Sequence, residues 1–210
     1  MAAGKDGLVA AGKRTERRAE VEEAILRSAR ALIEGGSPYS ALSVERVSRD
    51  AGIGRTAFYF YFRDKRELLM RLTVEVVEIL YQQADRWWHG TGEDPAAEIR
   101  VSLAEITRLY LESAHLLRAV TEASMHDDEV RSFWNAVIGR FITASRERIE
   151  ADLEAGRVTA IDPLETATAL CWMTERRLYQ LARDGGDADA VVDALTQIFM
   201  RSVYGSLPPR

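Results

Sequence analysis

Between Ser43 and Leu69 the chain reads SVERVSRDAGIGRTAFYFYFRDKRELL, and no other stretch restricts the possible folds as much. Two short runs with helical spacing flank Asp50-Ala51-Gly52-Ile53. Two helices that cross closely need a small residue at the crossing, which Ala51 supplies, and a tight turn of positive φ, which Gly52 permits. Val44, Val47, Ile53 and Phe58 are spaced to clamp the second helix onto the first. Ser43 stands before an acidic first turn as an N-cap. Asp64, with Glu67 three residues later, marks the start of a longer helix carrying Leu68, Leu69, Leu72, Val76 and Leu80. The second short helix, expected from about Arg55 to Phe60, keeps Arg55, Thr56 and Tyr59 on its remaining face. Such a helix fits the DNA major groove and offers its first side chains to base edges. The competing reading is a plain hydrophobic patch. Five consecutive aromatics, Phe58 to Phe62, cannot all be buried on one short helix, and tyrosines left outside beside Arg55 and Lys65 suit a phosphate backbone.

The remaining chain is helical in pattern. Val21, Ala24, Ile25, Ala29, Leu32 and Ile33 repeat at three and four residues, which predicts a helix from about Arg14 to Glu34. Gly35-Gly36-Ser37-Pro38 stops it. Beyond the break at Gly90–Pro95, helices are expected over Ala96–Glu112, Ala114–Ser124, Asp127–Ala155, Pro163–Arg183 and Ala188–Tyr204. Nine helices, short connections and no strand signal, repeat or low-complexity tract predict an all-α protein. Its expected parts are a disordered arm over residues 1–13, a helix-turn-helix unit over 14–66 and a helical body over 67–210. The boundary falls inside the helix that begins near Lys65, so no flexible linker separates the last two.

Charge divides along the same line. The net charge is −5, which by itself argues against a polyanion partner. The first 71 residues, however, carry 14 Lys and Arg against 10 Asp and Glu, and the rest carry 14 against 23. A basic first third on an acidic body suits a module that approaches phosphate. The single cysteine, Cys171, excludes an intrachain disulfide and reads as a small buried hydrophobe in a reducing, cytoplasmic setting. The longest apolar candidate, Leu68–Leu80, is broken by Arg71, Glu75 and Glu78, so no membrane span is expected. Lys5 and Asp6 interrupt the Ala- and Gly-rich start, which therefore does not read as a secretion signal.

The run Gly-Ile-Gly-Arg-Thr-Ala-Phe-Tyr-Phe-Tyr-Phe-x-x-Lys-x-x-Leu, Gly52 to Leu68, resembles the signature of the TetR family of repressors, and the likeness covers about residues 20–70. The resemblance implies about nine helices. The first three form the DNA-binding unit, the fourth links it to the body, and the last two build a dimer interface. By position it implies that Arg55 and Thr56 face bases, with Ala57 beside them. Tyr59 and Tyr61 would meet the phosphate backbone, and Lys65, at a helix N-terminus, and Ser43 would reach phosphates. Phe58 and Phe62 would be core. Gly54 departs from the family pattern, where Ser or Thr often caps the recognition helix, and Ala57 from a frequent Thr.

The body is similar to the ethionamide-resistance branch of that family in several pieces. These are Ala119-Val120-Thr121, Glu129-Val130 with Phe133-Trp134, Ala169-Leu170 with Met173 and Glu175-Arg176, and Ser202-Val203-Tyr204-Gly205. That likeness implies a long, mostly apolar ligand channel. The matching positions are Leu103, Thr107, Tyr110, Trp134, Ile138, Phe141, Cys171, Thr174 and Phe199. From spacing alone, Trp134, Ile138, Phe141 and Ser145 on one helical face read more readily as ordinary core than as a pocket. Thr166–Thr174, nine uncharged residues in a helix, implies burial on two sides, either by a partner subunit or as a central helix. Ala194, Leu195, Ile198 and Phe199 would complete a four-helix interface between two copies.

The expected function is thus a homodimeric repressor on operator DNA, released by a small apolar ligand and needing no cofactor. An activator of the same fold, or a helical interaction module without sequence-specific DNA binding, is the alternative. An enzyme is the remaining rival. Glu112-x-x-His115 has the spacing of di-iron carboxylate bundles, but those need a second Glu-x-x-His, and neither His89 nor His126 has a glutamate three residues before it. No phosphate loop, nucleophile elbow or cysteine-rich metal motif occurs.

Overall fold

The computed structural model describes residues 3–158 and 160–205, with side chains from Thr15 onward. Among these residues every regular element is helical: α1 (Ala3–Glu34), α2 (Val44–Asp50), α3 (Arg55–Phe58), α4 (Lys65–Trp88), α5 (Pro95–Glu112), α6 (Ala114–Ser124), α7 (Asp128–Glu154), α8 (Pro163–Asp184) and α9 (Ala188–Phe199). A 3₁₀ turn, Tyr39–Ala41, precedes α2, and a π turn, Met200–Tyr204, follows α9. The first turns of α1 occupy the segment read from sequence as an arm; residues 1 and 2 of that arm lie outside the described residues. The chain divides into two compact units, residues 1–72 and 73–210, and the division falls inside α4.

In the first unit Ile25, Ala29 and Ile33 of α1 are buried with Val47, Phe58, Phe62, Leu68, Leu69 and Leu72. The hydroxyl of Ser28 donates to the Val47 carbonyl at 3.1 Å, tying α1 to α2. Ser43 caps α2 by accepting the Arg46 N–H at 3.2 Å. Asp64 accepts the backbone N–H groups of Arg66 and Glu67 at the head of α4. Glu67 reaches back one residue further than a standard capping box, to the N–H of Arg63 at 2.7 Å.

In the second unit four helices open on an aspartate. Asp94, Asp127, Asp162 and Asp187 each accept a backbone N–H from the first turn of α5, α7, α8 and α9 respectively. Each such cap contributes roughly 1 kcal/mol. Pro95 and Pro163 sit directly after two of these caps, where a missing N–H costs nothing. Helix α7 packs on α8 and α6, α5 packs on α9, and α8 meets α5 and α6. No described helix is long and apolar enough to cross a membrane.

One expectation about the last helix is corrected. Leu195 and Phe199 are 2 % and 6 % exposed, so they face the core of their own subunit, not a partner. The packing of α9 on α5 takes that face of the helix. Ala194 and Ile198 stay outside.

Candidate functional site

The turn between α2 and α3 takes the form the residues require. Ala51 ends α2 in a right-handed conformation, and Gly52 follows at φ +71°, a region that side-chain-bearing residues enter only at a cost. The Ile53 N–H donates to the Ser48 carbonyl at 2.9 Å and closes the turn. Val47 and Phe58 are buried in the clamp, while Val44 and Ile53 are half-buried. Helix α3 is a single turn, two residues shorter than the sequence suggested, because the Phe60 and Tyr61 N–H groups fall back on Ala57 and Phe58. Gly54 is its N-cap and brings no side-chain hydrogen bond.

That short helix leaves Arg55, Thr56 and Tyr59 exposed on one surface, with Ala57 half-buried between them. The chain reverses after Phe58, so the aromatic run splits. Phe58 and Phe62 are buried with ring centroids 5.7 Å apart. Tyr59 packs edge-on against Phe58 while remaining 48 % exposed, and Phe60 is 76 % exposed. Tyr61 is half-buried beneath the Arg18 guanidinium, 6.0 Å from its ring centre. Ser43 is exposed, though its oxygen already serves the cap. Lys65 is the most committed of the expected contacts. Its ammonium donates to the carbonyls of Tyr39 and Leu42 at 3.4 and 3.3 Å and lies 4.7 Å from the Tyr39 ring centre. Phe60 is the exposed aromatic that sequence reasoning did not single out. Its signal was present, since a run of five aromatics must leave some outside.

The second unit holds an apolar cavity of about 100 Å³. Helix α5 contributes Leu103 and Tyr110, α7 contributes Trp134, Ile138 and Phe141, α8 contributes Cys171 and Thr174, and α9 contributes Phe199. These are eight of the nine positions nominated from sequence. Thr107, the ninth, is 2 % exposed and does not line the cavity. The wall that sequence reasoning missed comes from α4, chiefly Val77, Leu80, Ala84, Trp87 and Trp88. Those residues carry an ordinary apolar stripe, and the stripe alone does not say what it faces. Trp88 donates its indole N–H to Ser145 at 3.0 Å and packs against Tyr81 and Phe141. Burial pushes the Cys171 thiol up to about 11, so it acts as a neutral wall atom.

Two family models match this chain. The model for bacterial regulatory proteins of the tetR family covers residues 25–72, and the model for the C-terminal domain of the transcriptional regulator EthR covers residues 99–205. The HTH-type transcriptional regulator EthR of Mycolicibacterium smegmatis is 32% identical over 195 residues, spanning 89% of this chain and 88% of the relative. EthR of Mycobacterium tuberculosis is 32% identical over 207 residues, spanning 92% and 93%. The chain belongs to the TetR family of transcriptional regulators. Its body is of the EthR type.

Solved TetR-family structures share the fold. NalD of Pseudomonas aeruginosa, the secondary repressor of the MexAB-OprM multidrug efflux pump, superposes with a TM-score of 0.69 at 22% identity, over 90% of this chain and 98% of that one. A TetR-family regulator of Syntrophomonas wolfei superposes at 0.71 with 14% identity, over 94% and 100%. Membership in this family makes the Ser43–Leu69 region of the TetR-family regulator a DNA-binding helix-turn-helix. It also sets aside the enzyme reading, since the matching family and relatives are regulators of transcription. Glu112 is engaged by the Arg108 guanidinium at 2.6 Å, and no described group of three His, Cys, Asp or Glu could hold a metal.

Proposed function

We propose that this TetR-family regulator represses transcription by binding operator DNA as a homodimer, and that a small, mostly apolar ligand in the cavity of the body releases it. The observation that carries the DNA half is the exposed Arg55, Thr56 and Tyr59 surface immediately after the positive-φ turn at Gly52. Two recognition helices would enter successive major grooves of a near-palindromic site, about 34–36 Å apart for one helical turn. Arg55 and Thr56 read base edges, with Ala57 beside them. Tyr59, Tyr61, Lys65 and Ser43 hold the backbone.

The dimer is supported by apolar surface on the last two helices. Leu164 and Ile198 are 48 % and 40 % exposed, and Trp172 of α8 is half-buried. The ligand is supported by the cavity lining. Its volume is below the roughly 300–1,000 Å³ of most ligand pockets, so a ligand much larger than a six-carbon chain must turn aromatic side chains aside as it enters. Ligand and DNA then favour different conformations of the same dimer, and each weakens the other by the same factor.

The test is fluorescence anisotropy of the purified protein on its own upstream DNA and on a scrambled duplex, across a salt series. Tight binding to the upstream DNA with a much weaker control is expected. Equal and steeply salt-dependent binding to both would mean that only phosphate is read, and absence of binding to either would favour an interaction module.

A further inference from the structure

Five polar side chains that line the cavity have an atom buried without a hydrogen-bond partner: Ser102 Oγ, Tyr110 OH, Trp134 Nε1, Thr174 Oγ1 and Glu175 Oε2. They come from α5, α7 and α8. Buried polar groups are paired in the great majority of cases, and a cluster of unpaired ones around a cavity calls for something that completes them. Glu175 is the decisive member. It is 6 % exposed, and only one of its oxygens is engaged, by the Thr121 hydroxyl at 3.2 Å. The Trp134 indole lies close enough to Glu175 to favour its charged form, and Thr121 close enough to Tyr110 to do the same there, without reaching full hydrogen-bond geometry.

No Lys, Arg or His lines the cavity. The neighbouring Arg176 is exposed, its guanidinium 5.2 Å from the Tyr179 ring centre. Burial pushes the Glu175 carboxyl up from its ordinary value, against smaller opposing effects of Arg176, Thr121 and Trp134. An unpaired carboxylate inside protein is costly, and a cation brought to it recovers that cost. Around it, the hydroxyls of Tyr110, Thr174 and Ser102 can each accept a hydrogen bond as well as donate one, and the Trp134 indole only donates, so Glu175 is the one charged acceptor of the lining. A carboxylate ligand would meet like charge at Glu175.

We propose that the cavity selects an apolar molecule bearing one protonated amine, whose ammonium pairs with Glu175 while its hydrocarbon lies against the α4, α7 and α9 walls. This inference rests on the ligand-cavity reading above and specifies its chemistry.

The experiment is calorimetric titration of the full-length protein with 1-hexylamine, 1-hexanol and hexanoate. These are chains of one length, short enough for a small cavity; a designed void of roughly 150 Å³ takes up benzene. The amine is expected to bind at least about tenfold more tightly than the alcohol, with hexanoate weakest. Glu175→Gln, which keeps the shape and the Thr121 contact, is expected to abolish the preference for amine and leave hexanol affinity within about twofold. If wild-type protein binds hexanol as well as hexylamine, the charge assignment is overturned while the cavity reading stands. A Glu175→Gln protein that still prefers the amine overturns it as well. Should none of the three ligands bind, both this inference and the ligand-cavity reading fall. Where Glu175→Gln does not fold, the three-ligand comparison in wild-type protein decides alone.

Discussion

Asp152 is fully buried and meets three partners at once. Tyr204 donates to Oδ2 at 2.6 Å, Arg148 Nε donates to the same oxygen at 3.0 Å, and Arg157 Nε donates to Oδ1 at 2.8 Å. Burial pushes this carboxyl up, yet Tyr204, Arg157 and Arg148 together hold it below its ordinary value. Arg148 also donates from Nη1 to the carbonyls of Trp87 and Gly90, at 2.7 and 2.8 Å, closing the C-terminal end of α4, and from Nη2 to Glu98 at 3.5 Å. Removing the charge leaves the buried Arg148 with only the longer contact to Glu98, 3.5 Å away, and breaking a buried pair costs about 3–5 kcal/mol. Asp152→Asn is therefore expected to lose about that much in urea unfolding at neutral pH; a loss under about 1 kcal/mol would show that Arg148 finds other partners. Because the folded-state pKa is depressed, the stabilisation is present above the ordinary value of 3.8 and fades as pH falls through the folded value. The gap between wild type and Asp152→Asn should accordingly narrow in acid below that point. In the DNA-binding unit, the proposed base contact by Arg55 differs in kind from the backbone contact by Tyr59. Arg55→Ala should cost about 1–3 kcal/mol on the operator and flatten discrimination at one base pair. Tyr59→Ala should weaken operator and scrambled DNA alike. Competition binding on single-base operator variants separates the two, and an equal loss on every sequence would take Arg55 out of base reading.

At the level of the element, α3 is the shortest described α-helix, with one turn and no side-chain cap. Gly54 has φ −74° and ψ 149°, the extended geometry an N-cap adopts, and nothing lies within 4 Å of where a Cβ would stand. Gly54→Ser should therefore stabilise the protein by a few tenths of a kcal/mol, visible as slower hydrogen exchange at the start of α3. Faster exchange there would mean that the hydroxyl bonds elsewhere. Gly52 gives the opposite result for a backbone reason. Space is open around it too, but φ is +71°, and a Cβ in that region costs roughly 1–2 kcal/mol. Gly52→Ala should lower the denaturation midpoint accordingly, whereas an unchanged midpoint would show that the turn relaxes.

For the whole molecule, α8 and α9 each expose one large apolar side chain, Leu164 and Ile198, while the apolar cavity lies inside the body. The proposed dimer depends on the first and the proposed ligand on the second, so the two can be broken separately. Ile198→Asp, at a position 40 % exposed in the single chain, should yield a monomer in sedimentation and abolish tight operator binding with little effect on the fold. A variant that stays dimeric would place Ile198 outside the interface. Ligand that enters the cavity should leave the dimer intact and lower operator affinity, and DNA should lower ligand affinity by the same factor.

Much of this protein was legible in local sequence, because the relevant forces act within a few residues. The Gly52 turn, the Ser43 and Asp64 caps and the buried Phe58 follow from backbone sterics, orphan N–H groups and the spacing of one short helix, while the burial of Phe62 was reached through resemblance. The cavity positions were reached through resemblance and not through spacing, since an apolar stripe reads the same whether it faces core, cavity or partner. Only the tertiary structure decided which of these it faces. It turned Leu195 and Phe199 inward onto α5 and the cavity, moved Thr107 off the lining and brought α4 in as a wall. It also brought Asp152 to Tyr204, 52 residues away, and left one oxygen of Glu175 without a partner. Those outcomes depend on which helices meet, and the pairing of distant helices is a property of the packed whole that no window of sequence carries.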